Sequence, residues 1–154
     1  MRVKIFNAET SLLQEIVDSW IKESNVDQMG IELDEDVYLK DLRRLIDGND
    51  SDLLVLEKGD KIIGFMGLLV FESPLGRQKI ATEHYWYVLP QYRGISSLRL
   101  IRAAELWSQE KGCSHLLMNA SYLASELHDK VCEIYNKTGF IPFESTYIKK
   151  LGVK

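Results

Sequence analysis

The sequence predicts a mixed α/β domain in which a twisted, mostly antiparallel sheet is flanked by helices. Three observations support this fold class. Apolar residues recur at helical spacing near the N-terminus, three strand-like runs joined by short turns follow, and the last third alternates helix with strand. With 154 residues, 45% hydrophobic and 27% charged, the chain has the composition of a single globular domain spanning 1–154.

The first elements follow from apolar periodicity. Arg2–Phe6 alternates as a short strand, and Thr10 offers an N-cap for a helix that ends near Ser24. An acidic loop, Asn25–Glu35, then leads to a second predicted helix over Asp36–Ile46. The chain is therefore expected to begin with a strand and two helices.

Three strands are predicted next. They cover Asp52–Glu57, Lys61–Phe71 and Lys79–Leu89, and Pro90 stops the third. Gly59 followed by Asp60 between two apolar runs is a strong hairpin signal. These runs predict an antiparallel meander.

The C-terminal third has a different pattern. A short polar loop, Gln91–Ser97, opens into a helix that ends at Gly112. Ser114–Ala120 is predicted as a strand, Asp129–Thr138 as a helix and Phe140–Lys150 as a final strand. This order of elements is that of a mixed sheet with an antiparallel front half.

Charge and apolar run length narrow the function classes. A net charge of −4 argues against a general nucleic-acid or anionic-membrane binder, which needs a dominant positive field. The longest apolar run, Ile62–Phe71, is far shorter than the roughly 20 residues that span a bilayer. Cys113 and Cys132 have no close cysteine partner in the sequence and no CxxC spacing, as is typical of proteins in a reducing compartment. We therefore predict a cytoplasmic protein that binds neither nucleic acid nor membrane.

One stretch carries the chemistry: the strand EHYWYVLP, the loop QYRGISS and the helix LRLIRAAELW. A helix start presents unpaired backbone N–H groups, and the helix dipole favours an anion such as a pyrophosphate there. Gly94 permits close backbone approach, Ser96 or Ser97 can cap the helix, and Arg93 adds positive charge. From these residues alone, an anion site and a plain strand-to-helix connection both stay open.

Two motifs resemble the GNAT superfamily of acetyl-CoA-dependent N-acetyltransferases. The pattern Val88-x-Pro90-x-Tyr92-Arg93-Gly94 is similar to its cofactor loop. Tyr135, followed after three residues by Gly139 and Phe140, is similar to the end of its last helix. The element order also matches, and the stretches HYWYVLPQYRG and LRLIRAAE resemble phage-encoded members in particular.

The resemblance implies the family's three-layer fold, with acetyl-CoA as co-substrate. It implies a pantetheine arm along the third meander strand and a pyrophosphate at the loop. It also implies that Tyr135 protonates the departing thiolate, a step to which a phenol is suited. The implied cofactor-binding residues are Tyr87, Val88, Leu89, Arg93, Gly94, Ile95, Ser96, Ser97 and Leu98.

The sequence departs from the family pattern in two places. Ser96 and Leu98 stand where the family's loop has glycines, or Ser97 replaces the last glycine if the loop is one residue shorter. Side chains there would crowd the phosphates and weaken cofactor binding. His128 and Val131 replace the asparagine and alanine that many relatives carry in the last helix.

Acyl transfer to an amine also needs a general base. Relatives often place a carboxylate near Glu83, and His84 is the alternative. Strict strand alternation puts two sets of side chains on opposite faces, namely Glu83, Tyr85 and Tyr87 against His84, Trp86 and Val88. Only one of the two candidates is therefore expected to face the acceptor.

Several other residues allow a structural or a functional interpretation. The wider segment Glu23–Asp36 either attracts a cationic amine or is a solvated surface loop, and its acidic residues are Glu23, Asp27, Glu32, Asp34, Glu35 and Asp36. The aromatic side chains Trp20, Tyr38, Trp86 and Trp107 are predicted to belong to the core rather than to stack on substrate.

The leading hypothesis is transfer of an acetyl group from acetyl-CoA to a primary amine, by direct attack in a ternary complex. The amine would belong to a small molecule or a protein. Homodimers are expected from the relatives. The alternative is a non-catalytic protein that keeps the fold and acts through a protein partner, and the loop serines motivate it. A metal or nucleotide site at Cys113, His115 and His128 is not supported by their scattered spacing, so no metal is predicted.

Overall fold

The computed structural model describes residues 1–123 and 126–152. Within these residues it contains five strands and four α-helices. In chain order they are β1 (Arg2–Ile5), α1 (Gln14–Glu23), α2 (Glu35–Asp47), β2 (Ser51–Lys58), β3 (Lys61–Glu72), β4 (Lys79–Val88), α3 (Ile95–Glu110), β5 (Cys113–Leu117) and α4 (His128–Lys137). Short 3₁₀ turns occupy Thr10–Leu13, Asp27–Met29 and Pro90–Tyr92.

The five strands form one mixed sheet in the order β1-β2-β3-β4-β5. Neighbouring strands from β1 to β4 are antiparallel, whereas β5 lies parallel to β4. The predicted meander is therefore confirmed. Its first hairpin closes with Lys58 opposite Lys61, and Gly59 takes a φ of 61°, which glycine adopts readily.

Helices cover both faces of the sheet. The Ser51 hydroxyl donates to the Leu45 carbonyl of α2 at 2.8 Å, and the Trp107 indole of α3 donates to Asp52 at 2.8 Å. Adjacent strand residues point to opposite faces, so α2 and α3 lie on opposite sides of β2. The molecule therefore has the three layers that the sequence predicted.

The first two helices begin differently from their predictions. Thr10 is not an N-cap, because it starts a 3₁₀ turn whose capping position is Glu9. The regular helix α1 begins only at Gln14. By contrast, the Asp34 side chain accepts a hydrogen bond from the Val37 N–H at 3.1 Å and caps α2. The helix therefore begins at Glu35, one residue before the predicted start at Asp36.

The largest correction concerns the C-terminus. The predicted final strand, Phe140–Lys150, is wrong, because residues 140–152 form neither helix nor strand. The predicted strand Ser114–Ala120 also ends early, at Leu117. Both errors concern strands, whose formation depends on a partner that local sequence does not reveal.

No described helix has the length and apolar character needed to cross a bilayer.

Candidate active site

Strand β4 separates from β5 halfway along its length. The parallel ladder runs from Lys79 opposite Cys113 to Thr82 opposite Leu117 and ends there. Past this point the Asn119 side-chain amide donates to the Glu83 carbonyl at 2.8 Å. The rest of β4 pairs only with β3 among the described residues, which leaves one backbone edge open.

The open edge offers a hydrogen-bond donor at Val88. The Leu89 N–H donates to Ile63 of β3 at 2.9 Å. Backbone groups alternate sides along a strand, so the Val88 N–H points to the open edge. The Val88 carbonyl is already engaged, because the Arg93 Nε donates to it at 3.0 Å.

A β-bulge interrupts β4 beside the point of separation. Tyr85 lies opposite Gly67 and Glu83 opposite Leu68, so His84 is an extra residue without a partner on β3. His84 and Tyr85 therefore reach the same Asp41 carboxylate oxygen, at 2.7 and 2.6 Å. The predicted strict alternation, with Glu83 on the same face as Tyr85, is thus wrong.

Glu83 is a buried carboxyl group with one direct backbone donor. Its residue is 6% exposed, and its Oε2 accepts a hydrogen bond from the Asn119 N–H at 3.1 Å. Burial raises the pKa of Glu83 to about 7, although hydrogen bonds from Asn119 act in the opposite direction. A carboxyl with this pKa can take up a proton near neutral pH.

Tyr135 of α4 lies beside Glu83. It is 8% exposed, and its hydroxyl donates to the Asn119 carbonyl at 2.7 Å. Burial, followed by the charge of Glu83, raises the pKa of Tyr135 well above its ordinary value, so the phenol stays protonated. Asn119 therefore contacts both predicted catalytic side chains.

Trp86 completes this side of the site. Its ring lies 6.0 Å from the Tyr135 ring, with an angle of 28° between the planes. Its indole Nε1 is buried and has no hydrogen-bond partner among the described residues. Buried donors are nearly always paired, so this one is available to a ligand or an ordered water.

The loop after β4 brings backbone N–H groups to the start of α3. Gly94 is the capping residue, with a φ of 101° that disfavours any side chain, and a Cβ built there would meet nothing within 4 Å. The N–H groups of Arg93 and Ser97 bond within the turn. Those of Gly94, Ile95 and Ser96 have no partner among residues 1–123 and 126–152. This arrangement suits an anion.

Side chains at the start of α3 are divided between core and solvent. Ser96 and Ser97 are buried, at 8% and 6% exposure, and the Ser96 hydroxyl donates to the Met1 sulfur at 3.0 Å. Ile95 and Leu98 are exposed, at 79% and 40%. Of the three residues that could stand in place of the family's glycines, Ser96 and Ser97 are therefore packed into the protein, whereas Leu98 is exposed.

The Arg93 side chain bonds to helix α1. Its guanidinium holds both oxygens of the Glu23 carboxylate, with one contact at 2.8 Å, and Tyr87 donates to the same carboxylate at 2.7 Å. Burial raises the pKa of Glu23, but Arg93 and Tyr87 outweigh it and hold the pKa below its usual value. The positive charge that the sequence suggested for a phosphate is thus engaged by Glu23.

A cavity of about 220 Å³ opens on the α1–α2 side of β4. Tyr38 and Tyr85 line it, and Trp20 stacks on Tyr38 with ring centroids 4.5 Å apart. Its remaining lining is mostly apolar, with Asp34, Asp41 and Arg44 as the charged members. Trp20 and Tyr38, predicted as core residues, therefore also form a pocket wall.

Asp41 is the centre of a polar cluster at this cavity. It accepts hydrogen bonds from His84 and Tyr85 and pairs with Arg44 at 3.0 Å. Burial raises the pKa of Asp41, yet these partners hold it below its ordinary value. His84, the alternative base, therefore lies on the cavity side of β4, whereas Glu83 lies beside Tyr135.

Other features carry less chemistry. Another cavity, of about 580 Å³, lies between β1 and α1 and is lined by none of the predicted site residues. Trp107 is buried, in keeping with its predicted core role. Within the described residues, no group of three histidine, cysteine or carboxylate side chains could hold a metal ion.

Sequence reasoning missed Asn119 and Asp41. Asn119 lay inside a predicted strand, and its role follows from the early end of β5 at Leu117. Asp41 was one charged residue among many on an amphipathic helix. A polar residue directly after the apolar run Leu116–Met118 is the signal that could have pointed to Asn119.

Strands β4 and β5 separate beside the start of α3, whose free backbone N–H groups suit an anion. The fold and site therefore define an α/β domain with an open sheet edge next to such a helix start. A family model, that of the acetyltransferase (GNAT) family, matches residues 12–140. Because this match covers most of the chain, the protein belongs to the GNAT acetyltransferase family.

Solved structures share this fold at low sequence identity. An aminoglycoside 6'-N-acetyltransferase from Acinetobacter haemolyticus has a TM-score of 0.73 and 16% identity, with 100% of both chains covered. A ribosomal-protein-alanine N-acetyltransferase from Brucella melitensis biovar Abortus 2308 has a TM-score of 0.72 and 15% identity, with 98% of this chain and 100% of that chain covered. A transcriptional regulator from Bacillus halodurans has a TM-score of 0.75 and 15% identity, with 97% of this chain and 100% of that chain covered. No curated protein matches the sequence.

Proposed function

We propose that this chain transfers an acetyl group from acetyl-CoA to a primary amine by direct attack in a ternary complex. One observation carries the proposal. Glu83 and Tyr135 are buried together at the point where β4 separates from β5, and Asn119 contacts both. A proton acceptor and a proton donor at an open strand edge are what acyl transfer to an amine requires.

Acetyl-CoA would lie along the open edge and end at the loop. Its pantetheine arm would run beside Tyr87, Val88 and Leu89, with the Val88 N–H as donor. The pyrophosphate would take the free N–H groups of Gly94, Ile95 and Ser96 within the segment Arg93–Leu98. When bound, acetyl-CoA supplies the activated thioester.

Glu83 would be the general base. An amine is a nucleophile only when neutral, so a proton must leave its ammonium form before or during attack. The pKa of Glu83, about 7, suits it to accept that proton near neutral pH. His84 is the second candidate, since it faces the cavity and is oriented by Asp41 at 2.7 Å.

The Val88 N–H would stabilise the oxyanion as the new C–N bond forms. When the C–S bond breaks, the electron pair goes to the CoA sulfur. The Tyr135 hydroxyl would then hydrogen-bond to the sulfur and pass its proton to the thiolate. Its raised pKa makes a lasting phenolate unfavourable, so the proton that Glu83 takes from the amine would return to Tyr135 and complete the cycle.

The 220 Å³ cavity, with aromatic walls and the carboxylates of Asp34 and Asp41, would hold the acceptor if His84 is the base, because both lie on the face of β4 opposite Tyr135. With Glu83 as the base, the amine would instead approach at the open edge of β4, beside Tyr135. Small molecules and protein termini both fit the proposal, since solved structures with this fold include an aminoglycoside N-acetyltransferase and a ribosomal-protein-alanine N-acetyltransferase.

The test is a calorimetric titration of acetyl-CoA into the wild type and the variants Ile95→Glu and Ile95→Gln. Ile95 is exposed at the first turn of α3, so a glutamate there favours the helix yet repels a pyrophosphate. Micromolar binding corresponds to about −8 kcal/mol. We expect binding in the wild type, a weaker form of it in Ile95→Gln and a loss in Ile95→Glu.

Absence of binding to folded wild type at millimolar acetyl-CoA would overturn the proposal. The search would then move to the alternative, a protein that keeps the fold and acts on a protein partner. Equal binding by the glutamate and glutamine variants would show that the pyrophosphate lies elsewhere.

The remaining expectations belong to this proposal. Free Cys113 and Cys132 fit a reducing cytoplasm. The net charge of −4 fits an amine acceptor rather than nucleic acid or an anionic membrane. The resemblance to phage-encoded members suggests a phage source.

A further inference from the structure

All three nitrogens of the Arg93 guanidinium donate to groups of the protein. Its Nε donates to the Val88 carbonyl at 3.0 Å, and the two terminal nitrogens hold both oxygens of the Glu23 carboxylate. The two side chains are 27% and 26% exposed, so the pair is partly shielded from water and from screening by salt. A planar guanidinium held at three points has a fixed orientation. Arg93 is therefore a fixed part of the site rather than a mobile surface charge.

Glu23 lies at a position that a helix disfavours for an acid. It is the last residue of α1, where the helix dipole is negative and a carboxylate is unfavourable. Tyr87 compensates for this together with Arg93, because its hydroxyl donates to the carboxylate at 2.7 Å and its ring centre lies 5.3 Å from the guanidinium carbon. The Tyr87 hydroxyl also lies 2.8 Å from that of Ser19, one turn earlier in α1. This network ties the end of α1 to β4 and to the loop after it.

The backbone that this network holds is the open edge of β4 at Val88. The N–H and C=O of one residue point to the same side of an antiparallel strand, so both Val88 groups face that edge. The β5 ladder ends at Thr82 and does not reach this residue. The Arg93 Nε takes the place of a neighbouring strand there, because it donates to the Val88 carbonyl and does not engage the N–H. The Val88 N–H thus lies beside a fixed positive charge.

We propose that Arg93 and Glu23 are positioning residues that hold the Val88 N–H and a positive charge where the oxyanion forms. The inference rests on the proposed acetyl transfer. It gives the Arg93 side chain a different role from the phosphate contact expected from the sequence, since the pyrophosphate would use the backbone N–H groups of the loop. Preorganised donors and charges act more strongly on the transition state than on the bound substrate. Loss of either side chain should therefore slow the reaction without weakening acetyl-CoA binding.

The first measurement compares kcat with the calorimetric Kd of acetyl-CoA in Glu23→Gln, Arg93→Lys and Arg93→Met. The rate measured is hydrolysis of saturating acetyl-CoA to acetate and CoA, in which water attacks the same thioester carbonyl, so the acceptor amine need not be known. We expect kcat to fall by about 10-fold in each variant, less than the roughly 10²–10³-fold loss on deleting an oxyanion donor, with the Kd unchanged. Arg93→Lys keeps the charge but not the three-point contact, so it should not restore the rate.

Helix α2 offers a matched control. Arg43 also donates to both oxygens of a carboxylate, that of Asp47, at 2.9 and 3.1 Å, and to the backbone carbonyl of Ala8 at 3.1 Å. Arg43→Met and Asp47→Asn therefore each break an arginine–carboxylate pair of the same kind outside the site. Both should leave kcat and the Kd of acetyl-CoA unchanged. A fall in kcat equal to that of Glu23→Gln would show a general effect of stability and would overturn the inference.

The second measurement does not depend on activity. The amide signal of Val88, observed by NMR in protein with isotopically labelled valine, reports the environment of its N–H. We expect Glu23→Gln to move this signal and Asp47→Asn to leave it in place. An unmoved signal, weaker acetyl-CoA binding in Arg93→Met at unchanged kcat, or tighter binding in Glu23→Gln would each overturn the inference and leave the proposed function standing. No binding of acetyl-CoA to the folded wild type would overturn both.

Discussion

The two ends of β4 differ in what they bond and in what they do. From Lys79 to Thr82 the strand is paired with β3 on one side and with β5 on the other, so it is part of the continuous sheet. From Tyr85 to Val88 it pairs, among residues 1–123 and 126–152, with β3 alone, and its free edge, the bulge at His84 and the neighbouring loop hold the candidate site. The comparison shows how one strand can be rigid at its base and open to a ligand at its tip, with Glu83 at the boundary.

The most informative test of this difference removes the carboxylate of Glu83, which lies between the two ends of β4. Glu83→Gln keeps the size and a hydrogen-bond acceptor, so folding should persist. If Glu83 is the base, kcat should fall by about 10²–10⁴-fold. Wild-type activity should rise with pH through about 7, and the variant should lose that rise. Steady-state rates at saturating acetyl-CoA between pH 5 and 9 measure both effects.

The control for that experiment is His84→Gln. It removes the alternative base on the cavity side but leaves Asn119 and Glu83 in place. We expect the pH profile of the wild type in this variant. A flat profile in His84→Gln with a normal profile in Glu83→Gln would assign the base to His84.

Tyr135→Phe should have a smaller effect. It keeps the ring contacts with Trp86 and Phe140 and removes only the hydroxyl. Thiolates are weaker bases than alkoxides, so we expect kcat to fall only to the lower end of the range for acid catalysis, about 10²-fold. Acetyl-CoA affinity by calorimetry should stay unchanged, and a loss of affinity would indicate a binding role instead.

Glu83 should also lower stability above neutral pH. Its folded-state pKa of about 7 lies above the ordinary 4.5, so the folded state retains a proton that the unfolded state releases between these values. Its contribution to the free energy of unfolding therefore falls as pH rises through that window. At pH 8 we expect the free energy of unfolding of Glu83→Gln to exceed that of the wild type by about 1–3 kcal/mol.

Denaturant unfolding at pH 5 and pH 8 measures this difference. The advantage of Glu83→Gln should shrink at pH 5, where the wild-type carboxyl is protonated in the folded state. An equal difference at both pH values would contradict burial of a titrating Glu83.

The smallest expected effect concerns the boundary itself. Asn119→Ala removes the amide that donates to the Glu83 carbonyl at 2.8 Å but keeps the backbone contacts to Glu83 and Tyr135. We expect a loss of about 1 kcal/mol in the free energy of unfolding. The pH–rate midpoint should move upward, because Asn119 lowers the pKa of Glu83. Asn119→Asp is unsuitable as a control, since it adds a charge beside Glu83. The control is Asn7→Ala, at the exposed start of the chain, which should change neither the free energy of unfolding nor the pH–rate midpoint.

Local patterns predicted the parts of the fold that depend on local interactions. The meander, the loop into α3 and the helix that carries Tyr135 all followed from apolar spacing and glycine positions. The bulge at His84 did not, because a shift in register depends on which β3 residue pairs with which β4 residue. Where β5 ends, and whether Ile141–Leu151 forms a strand, also depend on partners distant in sequence.

The sequence pointed to the loop and to Glu83 and Tyr135, but not to the contacts that the side chains of the candidate site make. The segment Arg93–Leu98 could be located from the loop pattern and its resemblance. The Arg93 side chain could not, because its pairing with Glu23 joins residues that lie far apart in the chain. The same holds for Asn119, whose contacts require β4 and β5 to separate where they do.

The extra residue in β4 has a consequence for how this protein can change over evolutionary time. The bulge gives Glu83 and His84 separate neighbourhoods, Asn119 and Tyr135 on one side and Asp41 on the other. Substitutions around Asp41 can therefore accumulate without altering the environment of Glu83. Sequence change in the cavity is thereby separated from sequence change around Glu83 and Tyr135.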